Sequence, residues 1–238
     1  MKLEYLNGVR ITKLPHEMSP LESAISRYEE LARKHYDKVS AASDLPEDKR
    51  QAALNASLQH LERERALLSA IFDVQAELDV YREQGLGAAK GAEKERTVAL
   101  NMMRAEAHHP TELLERYMRA EGTPKPSPQH TAHHIVPGKG KLPRVTSRTR
   151  FHLHIHGIRI NDPANGVYLV AKDKDTPHWS MPKSTGHLTY HTIQYEQWVN
   201  QAVVRLSNID FIKTKLQIIG RLLQNNESKQ AIPKLKQI

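Results

Sequence analysis

The chain has 238 residues, of which 39% are hydrophobic and 5% aromatic, with no cysteine and a formal net charge of +8 at pH 7. The lack of cysteine excludes disulfides and thiolate metal ligands, and no apolar run approaches the roughly 18 residues of a membrane-spanning helix. The length allows one or two domains, and the first twenty residues lack the apolar centre and cleavage site of a secretory signal. We therefore expect synthesis in the cytoplasm and any export without a cleavable leader.

The positive charge is concentrated in the second half of the chain. From Pro126 onward 16 lysines and arginines stand against 6 acidic residues, whereas the residues before it hold 19 and 21. A basic segment beside a nearly neutral one favours a polyanion as the partner of the basic segment. A surface that only keeps the protein soluble explains the same numbers equally well.

The first half is predicted to be helical. The first helix start is "SPLE" at residues 19–22, with serine as N-cap and glutamate at the capping-box position. Apolar residues then follow at helical spacing from Leu21 to Val39. A second start at Asp44–Glu47 leads into a long helix that we expect to end near Gly85.

The glycine-rich stretch "GLGAAKG" at residues 85–91 resembles a phosphate loop, but no strand precedes it and no Lys-Ser/Thr pair closes it. We interpret it as a helix stop and a flexible joint. Two shorter helices are predicted at about 92–107 and 110–121. Between them His108 and His109 have no partner histidine one turn away, so we interpret them as polar surface.

A proline-rich stretch, "GTPKPSPQ", ends the helical half at the point where the charge balance changes sign. Three prolines without a large apolar residue predict a stiff, extended spacer. We therefore predict a helical domain at residues 1–122, a linker at 123–129 and a second domain at 130–238.

The second half mixes strands and helices. "HHIVPG" at residues 133–138 predicts a short strand and a turn, whereas residues 146–162 fit either a strand with one histidine face or a short helix closed by Gly157. The remaining predicted elements are a strand at 165–170, an irregular loop at 171–186, and helices at about 187–207 and 209–224.

The predicted helix after the loop opens with "HLTYH". His187 and His191 are four residues apart, which in an α-helix places both side chains on one face, about 6 Å apart. Two imidazoles at that separation can bind one divalent ion. Among 14 histidines, such a pair also arises by chance, and surface pairs are commoner than ligands.

The order of these motifs resembles the HNH nuclease superfamily, whose core is a β-hairpin crossed by a helix around one metal ion. "AHH" at residues 132–134 and "GIRINDPANGVYLV" at 157–170 make it similar to the AHH family of bacterial toxin nucleases. The resemblance covers about residues 129–206. It implies a mainly α fold with a small β-hairpin: a helical N-terminal domain, then a ββα-metal nuclease domain with extra helices.

The resemblance implies a role for each matching residue. His133, His187 and His191 correspond to the metal ligands, His134 to the general base, and Asn165 to the central asparagine of the HNH name. At the start of the second strand, the Asn165 amide is expected to bond to backbone across the hairpin and to hold the base in its orientation. Adjacent side chains on a strand diverge, so one histidine can bind the ion while its neighbour activates water. Three ligands leave positions for water and a phosphate oxygen, and the ion would be Mg²⁺, Mn²⁺, Zn²⁺ or Ni²⁺.

A second group of histidines alternates along residues 152–156 and competes for the same ion. His152, His154 and His156 match a segment that carries no ligand in the resembling sequences. We therefore favour a packing or phosphate-contact role for them.

The implied reaction is hydrolysis of phosphodiester bonds in DNA, with RNA as the alternative, leaving a 5′-phosphate and a 3′-hydroxyl. Cationic side chains between the motifs are predicted to contact backbone phosphates, which gives affinity with little sequence preference. These side chains are Lys139, Lys141, Arg144, Arg148, Arg150, Lys172, Lys174 and Lys183.

The resemblance also implies a biological setting. Domains of this type are warheads of polymorphic toxins, often moved by type VI or related secretion systems into competing bacteria, and the producing cell needs an immunity protein. We expect residues 1–122 to serve delivery, docking on a secretion component or immunity recognition. The alternatives are a phage or mobile-element nuclease, and a metal-containing DNA-binding module without turnover.

Overall fold

The structure, a computed structural model, describes residues 5–6, 9–10, 13–41, 46–108 and 110–228. It divides into two compact units. The first comprises Met1–Ala76 with Ala120–Gly122, and the second Glu77–Arg119 with Thr123–Ile238. Within the described residues no helix is long and apolar enough to cross a membrane.

The first unit contains two antiparallel strands of two residues each, β1 (Tyr5–Leu6) and β2 (Val9–Arg10), followed by α1 (Pro20–Ala41) and the first part of a long helix. The predicted capping box at the start of α1 is present. The Glu22 amide donates to Ser19 Oγ at 3.2 Å, and the Ser19 amide donates to Glu22 Oε2 at 2.8 Å. The predicted second start at Asp44 lies outside the described residues.

The long helix α2 (Glu47–Lys90) continues through "GLGAAKG", so the prediction of a helix stop and joint near Gly85 is wrong. The glycine serves close packing: a Cβ at Gly85 would collide with the carbonyl oxygen of Gly157. Gly157 itself has a φ of +80°, a conformation that glycine adopts without strain. Two backbones therefore meet where side chains do not fit.

The second unit is built around the predicted hairpin. Helices α3 (Glu93–Ala105) and α4 (Glu112–Ala120) precede β3 (His130–His134), which pairs antiparallel with β4 (Gly166–Val170). In this register His133 lies opposite Val167 and His134 opposite Gly166. The remaining helices are α5 (Pro143–Ile155), α6 (Ile193–Val203) and α7 (Ile209–Gln224).

Helices cover both faces of the hairpin. Val167 and Leu169 belong to the main core with residues of α6 and α7, whereas Ala132 and Tyr168 pack with Leu114 and Met118 of α4. Because neighbouring strand residues point to opposite faces, this arrangement buries both β3 and β4 along most of their length. The two faces of the hairpin therefore have different surroundings.

The ambiguous segment at residues 146–162 forms a helix, α5, which ends before the turn at Gly157. Together with the helices already described, this confirms the predicted class, a mainly α fold with a small β-hairpin. In the stretch predicted as a linker, Lys125 Nζ lies 3.0 Å from Glu115 Oε1, and the linker itself stays a prediction. The unit that contains the hairpin begins at Glu77, and a separate role for residues 1–122 stays a prediction.

Candidate functional site

Strand β3 sends its two adjacent histidines to different neighbours. The ring of His133 lies near those of His187 and His191, whereas His134 bonds to Asn161. Both rings are buried, at 6% and 5% exposure, and both line one cavity of about 440 Å³. We name this cavity, with Ala132, His133, His134, His187 and His191 in its wall, the AHH pocket.

The three predicted metal ligands come together in this pocket. The ring centres are 5.4 Å apart between His133 and His191, 5.3 Å between His187 and His191, and 6.4 Å between His133 and His187. Imidazoles that bind one tetrahedral ion at about 2.1 Å have ring centres roughly 5 Å apart. Two of the three separations fit this value, and the third is wider by about 1 Å.

The hydrogen bonds of the ligand set suit metal binding. His187 Nδ1–H donates to the Ala171 carbonyl at 2.8 Å, so the lone pair of this ring lies on Nε2 and is the one that can bind a metal. Burial, followed by the charges of His191 and His187, lowers the pKa of His133 well below its usual value, so its ring stays neutral. Neutral imidazoles oriented by a carbonyl are typical of bound ligands. In the described part of the chain, however, no three histidine, cysteine or acidic side chains are already close enough together to hold a metal ion.

The helix that carries His187 and His191 differs from the prediction. Residues His187–Tyr190 form a 3-10 turn, and the predicted α-helix from 187 is wrong because α6 begins only at Ile193. The cause is a cap: Thr192 Oγ1 accepts from the Tyr195 amide at 3.1 Å and ends the preceding turn. The two imidazoles nevertheless face each other across this tighter turn.

Asn161, which the sequence analysis did not single out, holds His134. The Asn161 Nδ2 group donates to Glu106 Oε1 and to the Ala107 carbonyl, both at 2.9 Å, and neither acceptor can donate in return. The amide orientation is thereby fixed, and Oδ1 faces His134 Nε2 at 3.0 Å. His134 therefore carries its hydrogen on Nε2, and Nδ1 has the lone pair.

A buried network fixes Asn161 in turn. Its backbone amide donates to the Tyr81 hydroxyl at 2.9 Å, and that hydroxyl donates to Glu106 Oε1 at 2.5 Å. Burial and the Glu106 charge raise the pKa of Tyr81, so its hydroxyl remains a donor. Arg159 Nε donates to the other Glu106 oxygen at 2.9 Å. The signal for Asn161 in the sequence was its place in "GIRIND", beside the residues that were singled out.

Asn165 does not contact His134 through any of its side-chain hydrogen bonds. Its Oδ1 accepts from the Val136 amide at 2.8 Å, and its Nδ2 donates to the carbonyls of Val136 and Ile160. The predicted bond across the hairpin to backbone is therefore present, but the predicted hold on the base is made by Asn161. Asn165 is fully buried and fixes the chain after β3.

Two further residues of the pocket escaped the sequence analysis. His108, interpreted as polar surface, lines the AHH pocket with its ring centre 6.1 Å from that of His134. Glu196 is buried and accepts from the amides of Lys141 and Leu142 and from Thr146 Oγ1. It thereby anchors the loop between β3 and α5. His109 lies outside the described residues.

The predicted phosphate-contacting cations divide into three groups. Lys139 and Lys141 line the AHH pocket, while Arg148 and Arg150 line a neighbouring cavity. Arg150 is largely engaged, because its Nη2 donates to the carbonyls of Met103 and Glu106 at 2.7 and 2.9 Å. The remaining four are exposed outside both cavities: Arg144, Lys172, Lys174 and Lys183.

The competing histidines, two in α5 and His156 at its C-cap, lie outside the AHH pocket. His152 and His156 bond through Nε2 to the carbonyls of Leu206 and Ser207, at 2.8 and 3.1 Å. His154 is buried beside Arg150. These are packing contacts, one of the two roles predicted for the group.

Residues 114–231 match a protein family described as a nuclease family of the HNH/ENDO VII superfamily with conserved AHH. The match includes β3, β4, α5 to α7 and all five predicted metal-binding and catalytic residues. No curated protein and no solved structure matches the chain.

Proposed function

Because residues 114–231 belong to the AHH family of nucleases, we propose that this chain is a metal-dependent endonuclease that hydrolyses phosphodiester bonds of DNA. One observation carries the proposal. Three imidazoles with ring centres 5.3–6.4 Å apart lie in the same pocket as a fourth, His134, whose orientation is fixed by Asn161. A ligand set next to an oriented base is what metal-assisted hydrolysis requires.

In this proposal His134 removes the proton from the attacking water at Nδ1. The ring is oriented for that step, since Nε2–H donates to Asn161 Oδ1. Asn161 does not react; it keeps the tautomer and the ring direction, and Glu106 keeps Asn161 in place. Both are positioning residues.

His133, His187 and His191 would hold the ion. The Tyr195 hydroxyl donates to the Ile135 carbonyl at 2.8 Å, so its oxygen can accept from His133 Nε2–H at 3.4 Å and leave Nδ1 as the ligand atom. A bound divalent ion supplies Lewis-acid stabilisation of the charge that develops on the scissile phosphate and the leaving oxygen. Lys139 and Lys141 at the pocket wall attract the substrate backbone.

The test is cleavage of supercoiled plasmid and of RNA by the purified protein, with Mg²⁺, Mn²⁺, Zn²⁺ or Ni²⁺ and with EDTA. We expect nicking of DNA that needs a metal and that falls by about 10²–10⁴-fold in His134→Ala. His60→Ala, an exposed histidine of α2, is the matched control and keeps full activity. Undiminished cutting by His134→Ala would rule out His134 as the base, and cutting in excess EDTA would rule out the metal requirement.

We further propose that the nuclease acts as an antibacterial toxin with a cognate immunity protein. The support is the family resemblance, together with a basic second half that suits an acidic inhibitor as well as DNA. In this setting the chain is made in the bacterial cytoplasm and reaches a competitor through a type VI or related secretion system, with residues 1–122 as the segment that contacts the apparatus.

Expression in a bacterial host tests the toxin role. We expect growth arrest with the wild-type chain, normal growth with His134→Ala, and rescue by a small acidic protein encoded beside the gene. Gene neighbours from a phage packaging cluster, with no toxicity, would instead favour the phage or mobile-element alternative.

A further inference from the structure

A second cavity, of about 430 Å³, lies next to the AHH pocket between α3 and α5. Its wall contains Arg104 from α3 and Arg148, Arg150 and His154 from α5. We name it the arginine cavity. Gly138 lines both cavities, so a single turn of the chain separates them.

The arginine cavity carries positive charge that no carboxylate neutralises within the described residues. No acidic side chain lines it, and none of its three arginines takes part in an ion pair in that part of the chain. Arg150 bonds to backbone carbonyls, and the Arg104 guanidinium lies 5.1 Å from the centre of the Phe151 ring. The carboxylate whose charge acts on Arg150 is that of Glu106, and it already bonds to Arg159, Tyr81 and Asn161.

His154 adds a donor without an acceptor. Its side chain is 1% exposed, and Arg150 Nε donates to its Nε2 at 3.4 Å. Burial and the charge of Arg150 lower the pKa of His154 to about 3, so the ring is neutral and its hydrogen lies on Nδ1. That buried Nδ1 has no hydrogen-bond partner among the described residues. A buried N–H without an acceptor is costly and calls for an explanation.

We propose that the arginine cavity binds a backbone phosphate of the nucleic acid whose scissile bond lies in the AHH pocket; the inference rests on the proposed function. An oxyanion supplies both the counter-charge for the arginines and an acceptor in the cavity that His154 lines. Because Gly138 borders both cavities, a strand that crosses this turn presents one phosphate to each. A substrate that extends beyond the scissile phosphate therefore has a second phosphate bound in the arginine cavity.

Kinetics on two substrates test this site. We compare a duplex oligonucleotide with bis(p-nitrophenyl) phosphate, which contains one phosphodiester and cannot reach a second cavity. In Arg104→Ala the ratio of kcat/KM for the duplex to that for the small diester falls about tenfold, as expected for a lost charged hydrogen bond. The matched control is Arg96→Ala, an exposed arginine of α3 outside the cavity, which keeps the wild-type ratio.

Duplex binding in EDTA provides a readout that does not depend on catalysis. The slope of log Kd against log salt concentration is about 0.9 smaller in Arg104→Ala than in the wild type, because one phosphate contact fewer is made. His154→Phe keeps the ring shape and removes the donor, so binding weakens while the slope is unchanged. Arg104→Ala and Arg96→Ala remain available if His154→Phe does not fold.

The outcomes separate this inference from the proposed function. Equal losses on both substrates, or an unchanged salt slope in Arg104→Ala, overturn the second site. Inorganic phosphate that protects the wild type against thermal unfolding but has no effect on duplex binding also overturns it, since the cavity would then hold free phosphate. If the wild type hydrolyses neither substrate, the proposed function fails, and the salt slope alone decides the second site.

Discussion

The two units of the chain bury their apolar side chains to very different extents. In the first unit α1 contains no buried residue, and on α2 Leu67 and Phe72 are 53% and 59% exposed. In the second unit Leu169 of β4 and Leu216 of α7 are fully buried. Both units carry helical apolar patterns, so the pattern alone specifies the helix but not the burial. The AHH pocket lies entirely in the unit with the core.

The sharpest test of this difference is to truncate one leucine side chain to alanine in each unit. Leu216→Ala removes a fully buried side chain and is expected to lower the free energy of unfolding by about 3 kcal/mol. Leu67→Ala, on the exposed side of α2, is expected to change it by less than about 0.5 kcal/mol. Urea unfolding followed by far-UV circular dichroism reports the helices of both units, and tryptophan fluorescence reports the second unit, because Trp198 packs on its core. Equal destabilisation by the two variants would contradict the contrast.

The pH dependence of stability is a second test, and it concerns a buried residue of the second unit, His154. His154 has a pKa of about 3 when folded and about 6.5 when unfolded, so the unfolded chain binds more protons between these values. Stability is therefore lost as the pH falls from 6.5 towards 3, by about 3 kcal/mol from this residue at pH 4. We expect the urea midpoint, measured in EDTA at pH 7 and pH 4, to fall less in His154→Phe than in the wild type. An identical fall in both proteins would show that His154 is not the cause.

The predictable part of the fold was the part governed by local sequence. The cap at Ser19, the hairpin strands and α7 follow from short-range patterns that read the same in any context. The end of α2 was wrongly placed because Gly85 is required by a tertiary contact. It allows the Gly157 backbone to approach, and the local sequence does not indicate that contact. The turn at His187 is a different case, because the Thr192 cap that ends it is a local contact with the Tyr195 amide, which the prediction missed.

The candidate site was predictable to a similar degree. The family motif led to the three predicted ligands and to His134, and the structure brings these four rings into one pocket. Asn161, Glu106 and His108 were missed because they act through contacts between distant segments, such as the 55-residue separation of Glu106 from Asn161. The place of Asn161 in "GIRIND" was a signal for that residue, but no local pattern in the sequence points to its contact with Glu106.

The residues around His134, the proposed base, offer a smaller test within the second unit. Asn161→Ala is expected to lower kcat by 10- to 100-fold in a protein that stays folded, because His134 loses its orientation. Asn165→Ala is the matched variant: it removes three hydrogen bonds to backbone, so the loss is expected in the urea midpoint. A reversed pattern, with kcat lost in Asn165→Ala alone, would restore Asn165 as the residue that orients the base.

The smallest expected effect concerns the first unit alone. Ser19→Ala removes the side-chain cap from α1, which costs about 1 kcal/mol of helix stability. Because α1 has no buried residue to hold it, the loss is expected as faster amide hydrogen exchange in α1, with exchange in α7 unchanged. Plasmid cleavage is expected to be unchanged, since no wall residue of the AHH pocket belongs to the first unit. A parallel loss of cleavage would mean that the nuclease site depends on α1, and the comparison between the two units would then fail.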